Sequence, residues 1–373
     1  MTVPTDDILK LFDAALSADY TRVRRIGTEM AQALAKNEPE MAKALKSLLR
    51  RKGVPLQASG YVENLPVDAK SRSPLVEEQP WPTTPLFVDG TNRTVFLNFI
   101  EDAQNAAMLS EKGLSTRLSM LLSGPPGTGK SLLAGHIAAQ LQKPLYVVRL
   151  DSVVSSFLGD TAKNLRNVFD FIPTRNAVLF LDEMDAVAKV RDDRNELGEL
   201  KRVVNTLIQG LDSLDDRSVV IGATNHSQLL DPAIWRRFPY KIELGMPGEE
   251  VRADLWSHFL LSDEQHHFAP GLLAKISDGL TGAEIEDLSL AARRYALLDN
   301  KDLDLAAVAW ATKLIRDGAH AMPDRNGLNS DLKRKLALHL VQSAGASGAD
   351  VARLLGVTRQ AISSYLKEER DGN

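Results

Sequence analysis

Apolar residues recur at helical spacing from the start of the chain: Ile8, Leu9, Phe12, Ala15 and Leu16, then Val23, Ile26 and Met30, then Met41, Leu45 and Leu48. Steps of three and four place such positions on one helix face, so residues 1–53 are predicted to form a small helical unit. The rhythm breaks between Gly53 and Pro85, where six prolines (Pro55, Pro66, Pro74, Pro80, Pro82 and Pro85) stand among polar residues. Residues 54–85 therefore read as a linker that packs in part on the next domain. Over 86–248 the runs LSMLL, LYVVRL, AVLFL, SVVIGA and YKIEL alternate with helix-like segments. That alternation predicts an α/β domain, a parallel five-stranded sheet with helices on both faces. Helical patterning returns over 249–325 and, after the break at PDRNG, over 328–373, with no internal repeat.

Composition narrows the setting. The 373 residues, 44% hydrophobic and 25% charged, suffice for two or three domains with their own cores. A net charge of −4 supplies no whole-chain attraction to nucleic acid or anionic lipid, so any such contact needs a local patch. With no cysteine there is neither a disulfide nor a thiolate metal site. The start, MTVPTDDILK, has no cationic n-region or apolar core, and the longest apolar runs are of strand length, so a cytoplasmic protein without a membrane span is expected.

One stretch carries explicit chemistry. Gly124, Pro125, Pro126, Gly127, Thr128, Gly129, Lys130 and Ser131 spell G-x-x-x-x-G-K-S between a strand-like run and the helix-like LLAGHIAAQL that begins at Leu132. Glycines let backbone N–H groups turn inward around the β- and γ-phosphates, and the following helix adds its positive dipole end. Lys130 would neutralise phosphate charge and Ser131 would hold Mg²⁺. Further on, the apolar run AVLFL delivers Asp182 and Glu183 at its C-terminal end, where open α/β sheets bind ligands. Asp182 suits a Mg²⁺ contact through water, and Glu183 suits orienting and deprotonating an attacking water. An Asp-Glu pair alone is more often a solvated turn; the glycine loop changes its meaning. Asn225, ending VVIGATN, would hydrogen-bond that water or the γ-phosphate. Arg236 and Arg237 precede the last strand-like run. Adjacent arginines are usually surface charge, but a guanidinium offered to a neighbour's γ-phosphate supplies about 10³ to 10⁵ in rate. Such an arginine acts across a subunit boundary, which implies an oligomer, most simply a closed ring.

In this order and spacing GPPGTGKS, LFLDEMD, GATN and LLDPAIWRRF resemble the ATPase domain of the AAA family, over about Leu86 to Met322. The resemblance implies a homo-oligomer, a hexameric ring, that hydrolyses ATP with Mg²⁺. AIWRRF is similar to the arginine-rich string of the katanin and spastin branch, with Trp235 in place of an arginine, which leaves open which of Arg236 and Arg237 acts. LTGAEIEDL resembles the Gly-Ala form of the second sensor at Gly282 and Ala283, where helicase loaders usually carry an arginine. SSFLGDTAKNLRNVF resembles the first pore loop of polypeptide-threading members, with Phe157, Leu158 and Gly159 at the gripping positions; the plainer alternative is that Phe157 and Leu158 are core residues. Adenine contacts are expected near Val88 to Gly90 and from the helical lid.

The two ends suggest partners. GADVARLLGVTRQAISSYLKEE has Ala352, Gly356 and Ile362 at the spacing of a helix-turn-helix, with Thr358 as the cap of its second helix. There Ala361, Ile362, Tyr365 and Leu366 would pack inward, while Arg359, Gln360, Ser363, Ser364 and Lys367 would face out towards DNA. Seven basic against five acidic residues from Asn329 onward make one copy a weak DNA ligand, whereas a ring of copies gains avidity. Docking of protein is the alternative use of this face. The N-terminal helical pattern resembles the N-domains of bacterial AAA proteins paired with subtilisin-like proteases, where they recruit partner proteins. The sequence thus points to a ring ATPase that threads or remodels a polypeptide. The rival is a DNA-bound regulator whose ATPase switches its assembly. A nucleotide-sensing scaffold without turnover is disfavoured, because every catalytic position is filled.

Overall fold

The computed structural model describes Ile26, Met30, Ala31 and Leu34, then residues 65–68, 72–155, 158–189, 197–261 and 268–371. The chain divides into two units, 1–65 and 66–373. In the first, Ile26, Met30, Ala31 and Leu34 are helical, and Ile26, Ala31 and Leu34 are buried. The rest of the expected helical unit over 1–53, and residues 54–64 and 69–71 of the linker read over 54–85, lie outside the described residues.

The second unit begins with β1 (Glu77–Gln79), α1 (Gly90–Gln104), α2 (Ala106–Glu111), β2 (Ser119–Ser123), α3 (Lys130–Gln140), β3 (Leu145–Arg149) and α4 (Leu150–Ser155). It continues through α5 (Leu158–Phe171), β4 (Val178–Asp182), α6 (Ala186–Lys189), α7 (Leu197–Ser213), β5 (Val219–Thr224), α8 (Pro232–Trp235) and β6 (Tyr240–Glu243). The remainder is helical: α9 (Glu249–Phe259), α10 (Ala269–Ile276), α11 (Gly282–Asp299), α12 (Leu305–Arg316), α13 (Ser330–Gln342), α14 (Gly348–Leu355) and α15 (Arg359–Asp371).

The strands form one six-stranded sheet in the order β1-β3-β4-β5-β2-β6. Every pair from β3 to β6 is parallel, while β1 is antiparallel to β3. All residues of β2 and β5 are buried, as a sheet covered on both faces requires. On one face Phe96 and Phe99 of α1 and Leu133 and Ile137 of α3 pack on Met120, Phe180 and Ile221.

The five expected parallel strands are present, and the count needs one correction. A sixth strand comes from the stretch read as linker: Leu75 and Val76 are buried, and Glu77–Gln79 pairs along the edge of β3. Prolines on both sides masked it, yet a short, acidic, proline-flanked strand is what an exposed sheet edge favours. The segment is tied down further on. Trp81 donates its indole N–H to the Lys143 carbonyl at 2.9 Å, and the His136 ring meets the Thr84 carbonyl at 2.8 Å.

Beyond β6 the helices share a single hydrophobic core that runs from Trp256 and Leu288 through Val308 to Leu336, Leu340 and Leu354. The fully buried Trp256 donates its indole N–H to Ser277 Oγ at 3.0 Å, so its polar edge is satisfied inside that core. At the junction between the two expected helical segments, Arg325 makes a bidentate contact with Asp299 and stands over the Tyr295 ring. Among the described residues no helix is long and apolar enough to cross a membrane.

Candidate active site

The site grows from the C-terminal ends of β2, β4 and β5. After Ser123 the chain turns at Gly124, whose φ is +142°; a Cβ there would lie 2.0 Å from the Leu244 carbonyl oxygen. No side chain fits, so the glycine is fixed by the neighbouring chain as well as by its own dihedral. Lys130 is buried at the start of α3, and its Nζ donates to the Gly124 and Pro125 carbonyls at 2.8 Å each. Thr128 Oγ1 donates to the Pro125 carbonyl at 2.8 Å. The ammonium thus stands within the loop's own carbonyls. Burial lowers its pKa, and the carboxylates of Asp182 and Asp185 act against that shift.

Asp182 is the last residue of β4, and its carboxylate accepts from the Glu183 backbone N–H at 2.9 Å. Burial raises its pKa; the Glu183 N–H, Lys130 and Arg149 pull the other way. Glu183 has φ +55°, in the left-handed region. For a non-glycine residue this costs about 1–3 kcal/mol and persists only where the surroundings impose it. Here they do, since the next N–H, that of Met184, donates to the Ala223 carbonyl of β5 at 2.9 Å. The Glu183 pKa is raised, first by desolvation, then by the charges of Asp151 and Asp182 and a hydrogen bond with Asp151.

Asp185 completes the turn. It is 1% exposed and accepts from Thr224 Oγ1 at 3.1 Å and from the Asn225 backbone N–H at 3.2 Å. This places Asn225, whose buried Oδ1 has no hydrogen-bond partner among the described residues. A buried carbonyl in that condition is an acceptor waiting for an O–H or N–H donor.

The helical side closes the site through the loop glycines. The Ala283 N–H donates to the Gly127 carbonyl at 3.2 Å, and a Cβ on Gly127 (φ +77°) would meet Thr281 Oγ1 at 3.0 Å. The first turn of α11 is held by a capping box: Thr281 Oγ1 accepts from the Glu284 N–H, and Glu284 accepts from the Thr281 N–H at 2.7 Å. The sequence TGAE spells that box, so Gly282 and Ala283 are presented to the loop by local chemistry. A cavity of about 410 Å³ joins these parts, lined by Gly127 to Leu133 and by Phe87, Val88, Met246, Val251 and Phe259.

The expected site residues therefore converge: Gly124 to Leu132, Asp182, Glu183, Asn225, Gly282 and Ala283 belong to one end of the sheet and the helices beside it. Residues 120–246 match the family described as ATPase family associated with various cellular activities (AAA). Residues 120–246 are an AAA ATPase domain. The relatives of this chain include an uncharacterised AAA family ATPase of Sinorhizobium fredii, 36% identical over 216 residues, which are 58% of this chain and 65% of the relative. A spastin homolog of Caenorhabditis elegans is 34% identical over 197 residues, 50% of this chain and 37% of the relative. Proteasome-activating nucleotidase 1 of Haloferax volcanii is 33% identical over 205 residues, 52% of this chain and 50% of the relative. The chain thus spans about two thirds or less of each of these relatives' length.

Asp182, Glu183 and Asn225 do not line the cavity, and neither do Arg236, Arg237 or the expected residues of α15. Arg236 is exposed at the end of α8, and Arg237 is bound to Asp212. Phe157 lies outside the described residues, while Leu158 and Gly159 begin α5. On α15, Arg359, Gln360, Ser363, Ser364 and Lys367 are exposed, and Ile362 is buried against α14 and its neighbours.

Sequence reading passed over two carboxylates. Asp185 was in plain view as the second aspartate of LFLDEMD, and only its contact with the strand 39 residues on, at Thr224, reveals its part. Asp151 follows β3 with no motif around it; the pairing of β3 with β4 brings it to Glu183.

Proposed function

We propose that this chain hydrolyses ATP as one protomer of a ring, most simply a hexamer, and uses turnover to pull on or remodel a polypeptide. One observation carries the hydrolytic part: the buried, unpartnered Oδ1 of Asn225 stands at the sheet end that also bears Lys130, Asp182 and Glu183. That acceptor suits a water whose proton Glu183 takes as the oxygen attacks the γ-phosphorus. Lys130 exchanges its loop carbonyls for phosphate oxygens, and the N–H groups at the start of α3 take the rest of the charge. The donor set also suits Mg²⁺, with the exposed Ser131 hydroxyl and the Asp182 carboxylate as the residues that would hold it. Bound there, the cation neutralises charge on the phosphate oxygens. The apolar side of the cavity, with Phe87, Val88 and Phe259, suits the base.

Support for a protein substrate comes from relatives bearing the names spastin and proteasome-activating nucleotidase. The pore-loop pattern at Phe157, Leu158 and Gly159 adds to it. The N-terminal unit would recruit the partner, for example a protease.

The test is Glu183→Gln in the full chain. It should bind ATP as the parent does, stop release of phosphate, and trap a protein client that co-purifies only with ATP. Retention of phosphate release sinks the hydrolytic reading. A second variant, Phe157→Ala, should keep ATPase activity and lose client processing; processing that survives removes the pore loop from the mechanism.

A second reading rests on the polar face of α15, where Arg359, Gln360, Ser363, Ser364 and Lys367 are all exposed. It makes the chain a DNA-bound regulator. If Glu183→Gln retains duplex DNA in a salt-sensitive complex and no protein, that reading replaces client threading.

A further inference from the structure

Ahead of β1 the proline-rich stretch folds back on itself. The Leu75 N–H donates to the Pro66 carbonyl at 2.8 Å, the Asp68 N–H to the Ser73 carbonyl at 2.9 Å and the Arg72 N–H to the Asp68 carbonyl at 3.0 Å. Val67 and Pro74 face one another as an antiparallel bridge. These bonds fix the Asp68 backbone, and its side chain turns into the domain. Asp68 is 4% exposed, and its Oδ2 accepts from Asn164 Nδ2 at 2.6 Å, across 96 residues of chain. Asn164 is buried as deeply, at 2% exposed.

Asn164 lies in the second turn of α5, the helix that begins with Leu158 and Gly159. Around it on the buried side stand Ala162, Leu165 and Val168. Contacts between such apolar side chains are non-directional, whereas a hydrogen bond between buried groups holds one register. Two further contacts hold the helix. Thr161 Oγ1 donates to the Val153 carbonyl at 3.2 Å, which ties α5 to α4, and the far end is wedged by Phe169, whose ring would stand 2.2 Å from a Cβ on Gly210 of α7. Asp68 adds a polar hold near the start of α5 from outside the α4–α5 pair. A charged acceptor makes that bond stronger than one between neutral groups, and stranding either partner at this depth is costly.

We propose that Asp68 is a positioning residue for the polypeptide grip: through Asn164 its carboxylate sets the register of α5, and with it the place of Leu158 and Gly159 at the start of that helix. This deepens the threading reading and rests on it. The nucleotide side is insulated from this contact. Beyond β1 the same stretch is held by the Trp81 bond to the Lys143 carbonyl, by Pro82 in the space a Cβ on Gly135 of α3 would need, and by the Thr84 carbonyl on the His136 ring. Thr84 to Asp89, which line the cavity, therefore keep their own anchors when the Asp68 contact is lost.

The experiment compares variants of the full chain by steady-state hydrolysis with and without casein, an unfolded model client, and by amide hydrogen exchange. Asp68→Ala should hydrolyse ATP alone within about twofold of the parent, because the site is distant and shares no partner with it. Exchange over 158–171 should quicken by about fivefold or more, while α3 and β5 keep their protection. The KM for casein, read from its stimulation of turnover, should rise by about tenfold or more as the gripping residues lose their place. Asp68→Asn keeps an acceptor for Asn164 and should retain the parental response. Asp68→Ala combined with Asn164→Ala removes both partners, leaves neither stranded, and should match Asp68→Ala in its casein response.

The proposal is overturned if α5 in the folded double variant exchanges as slowly as in the parent, or if Asp68→Asn loses the casein response as Asp68→Ala does. It is overturned too if turnover without casein falls together with that response, since a contact that only stabilises the fold would lower both. The threading reading fails separately: it falls if the parent gives no response to casein and Glu183→Gln does not hold casein in the presence of ATP, while exchange over 158–171 still reports whether Asp68 holds the helix.

Discussion

The buried carboxylate of Asp185 accepts a hydrogen bond from the backbone N–H of Asn225 at 3.2 Å, across 40 residues of chain. The turn after β4 thereby sets the position of the residue after β5. Asp185→Ala leaves that N–H and the Thr224 hydroxyl without their acceptor, a loss of about 1–3 kcal/mol. We expect a lower melting midpoint together with a reduced kcat at unchanged KM. A variant that melts earlier but keeps its kcat would show that Asn225 is placed by other contacts.

Strain at Glu183 gives a second expectation. Asn tolerates the left-handed region better than other non-glycine residues. Glu183→Asn should therefore melt at or above the parent, by up to about 1 kcal/mol, while hydrolysis is lost. Differential scanning calorimetry beside a phosphate-release assay checks this opposition.

The loop glycines separate two kinds of contact. Gly124→Ala drives a Cβ to 2.0 Å from the Leu244 carbonyl oxygen and should cost about 2–5 kcal/mol. At Gly282 the nearest atom to an added Cβ is the Gly127 carbonyl oxygen at 3.6 Å, an ordinary contact, so Gly282→Ala should stay within about 0.5 kcal/mol. Urea titration of both variants tests the contrast.

Acid should weaken the C-terminal helices through His339. Burial, with Lys313 and Arg316 nearby, lowers its pKa against the opposing charge of Asp317, and its Nε2 has no partner among the described residues. Below pH about 6.5 the unfolded chain takes up a proton that the folded chain refuses, so stability falls with pH until the lowered folded pKa is passed. The loss should be smaller in His339→Gln when melting is followed from pH 8 to pH 5; an identical pH profile would remove His339 as its source.

Much of the site was legible because its chemistry is local. The loop from Gly124 to Ser131 has its glycines, lysine and hydroxyl within one turn, so the residue string alone marks it as a candidate site. Asp182, Glu183 and Asn225 were legible as candidates because each stands at or just beyond the end of an apolar strand, and strand ends are where such sheets bind ligands. The capping box at Thr281 and Glu284 is likewise a matter of four consecutive residues. The edge strand Glu77–Gln79 was not legible, since three residues between prolines carry no periodicity and acquire meaning only against β3.

The sequence by itself therefore determined the order of elements, the glycine-rich loop and the residue types at each strand end, because these depend on neighbours a few positions away. The tertiary structure alone decided that Asp185 holds Asn225, that Ala283 closes on Gly127, that Glu183 is forced to positive φ, and that Arg237 is bound while Arg236 is exposed. Each of these is set by groups distant along the chain, Asp212 lying 25 residues before Arg237, and the pairing comes from how the strands and helices stack. Hydrogen bonds and excluded volume act between atoms close in space, and a string of residue types does not fix which atoms those are until the core has packed.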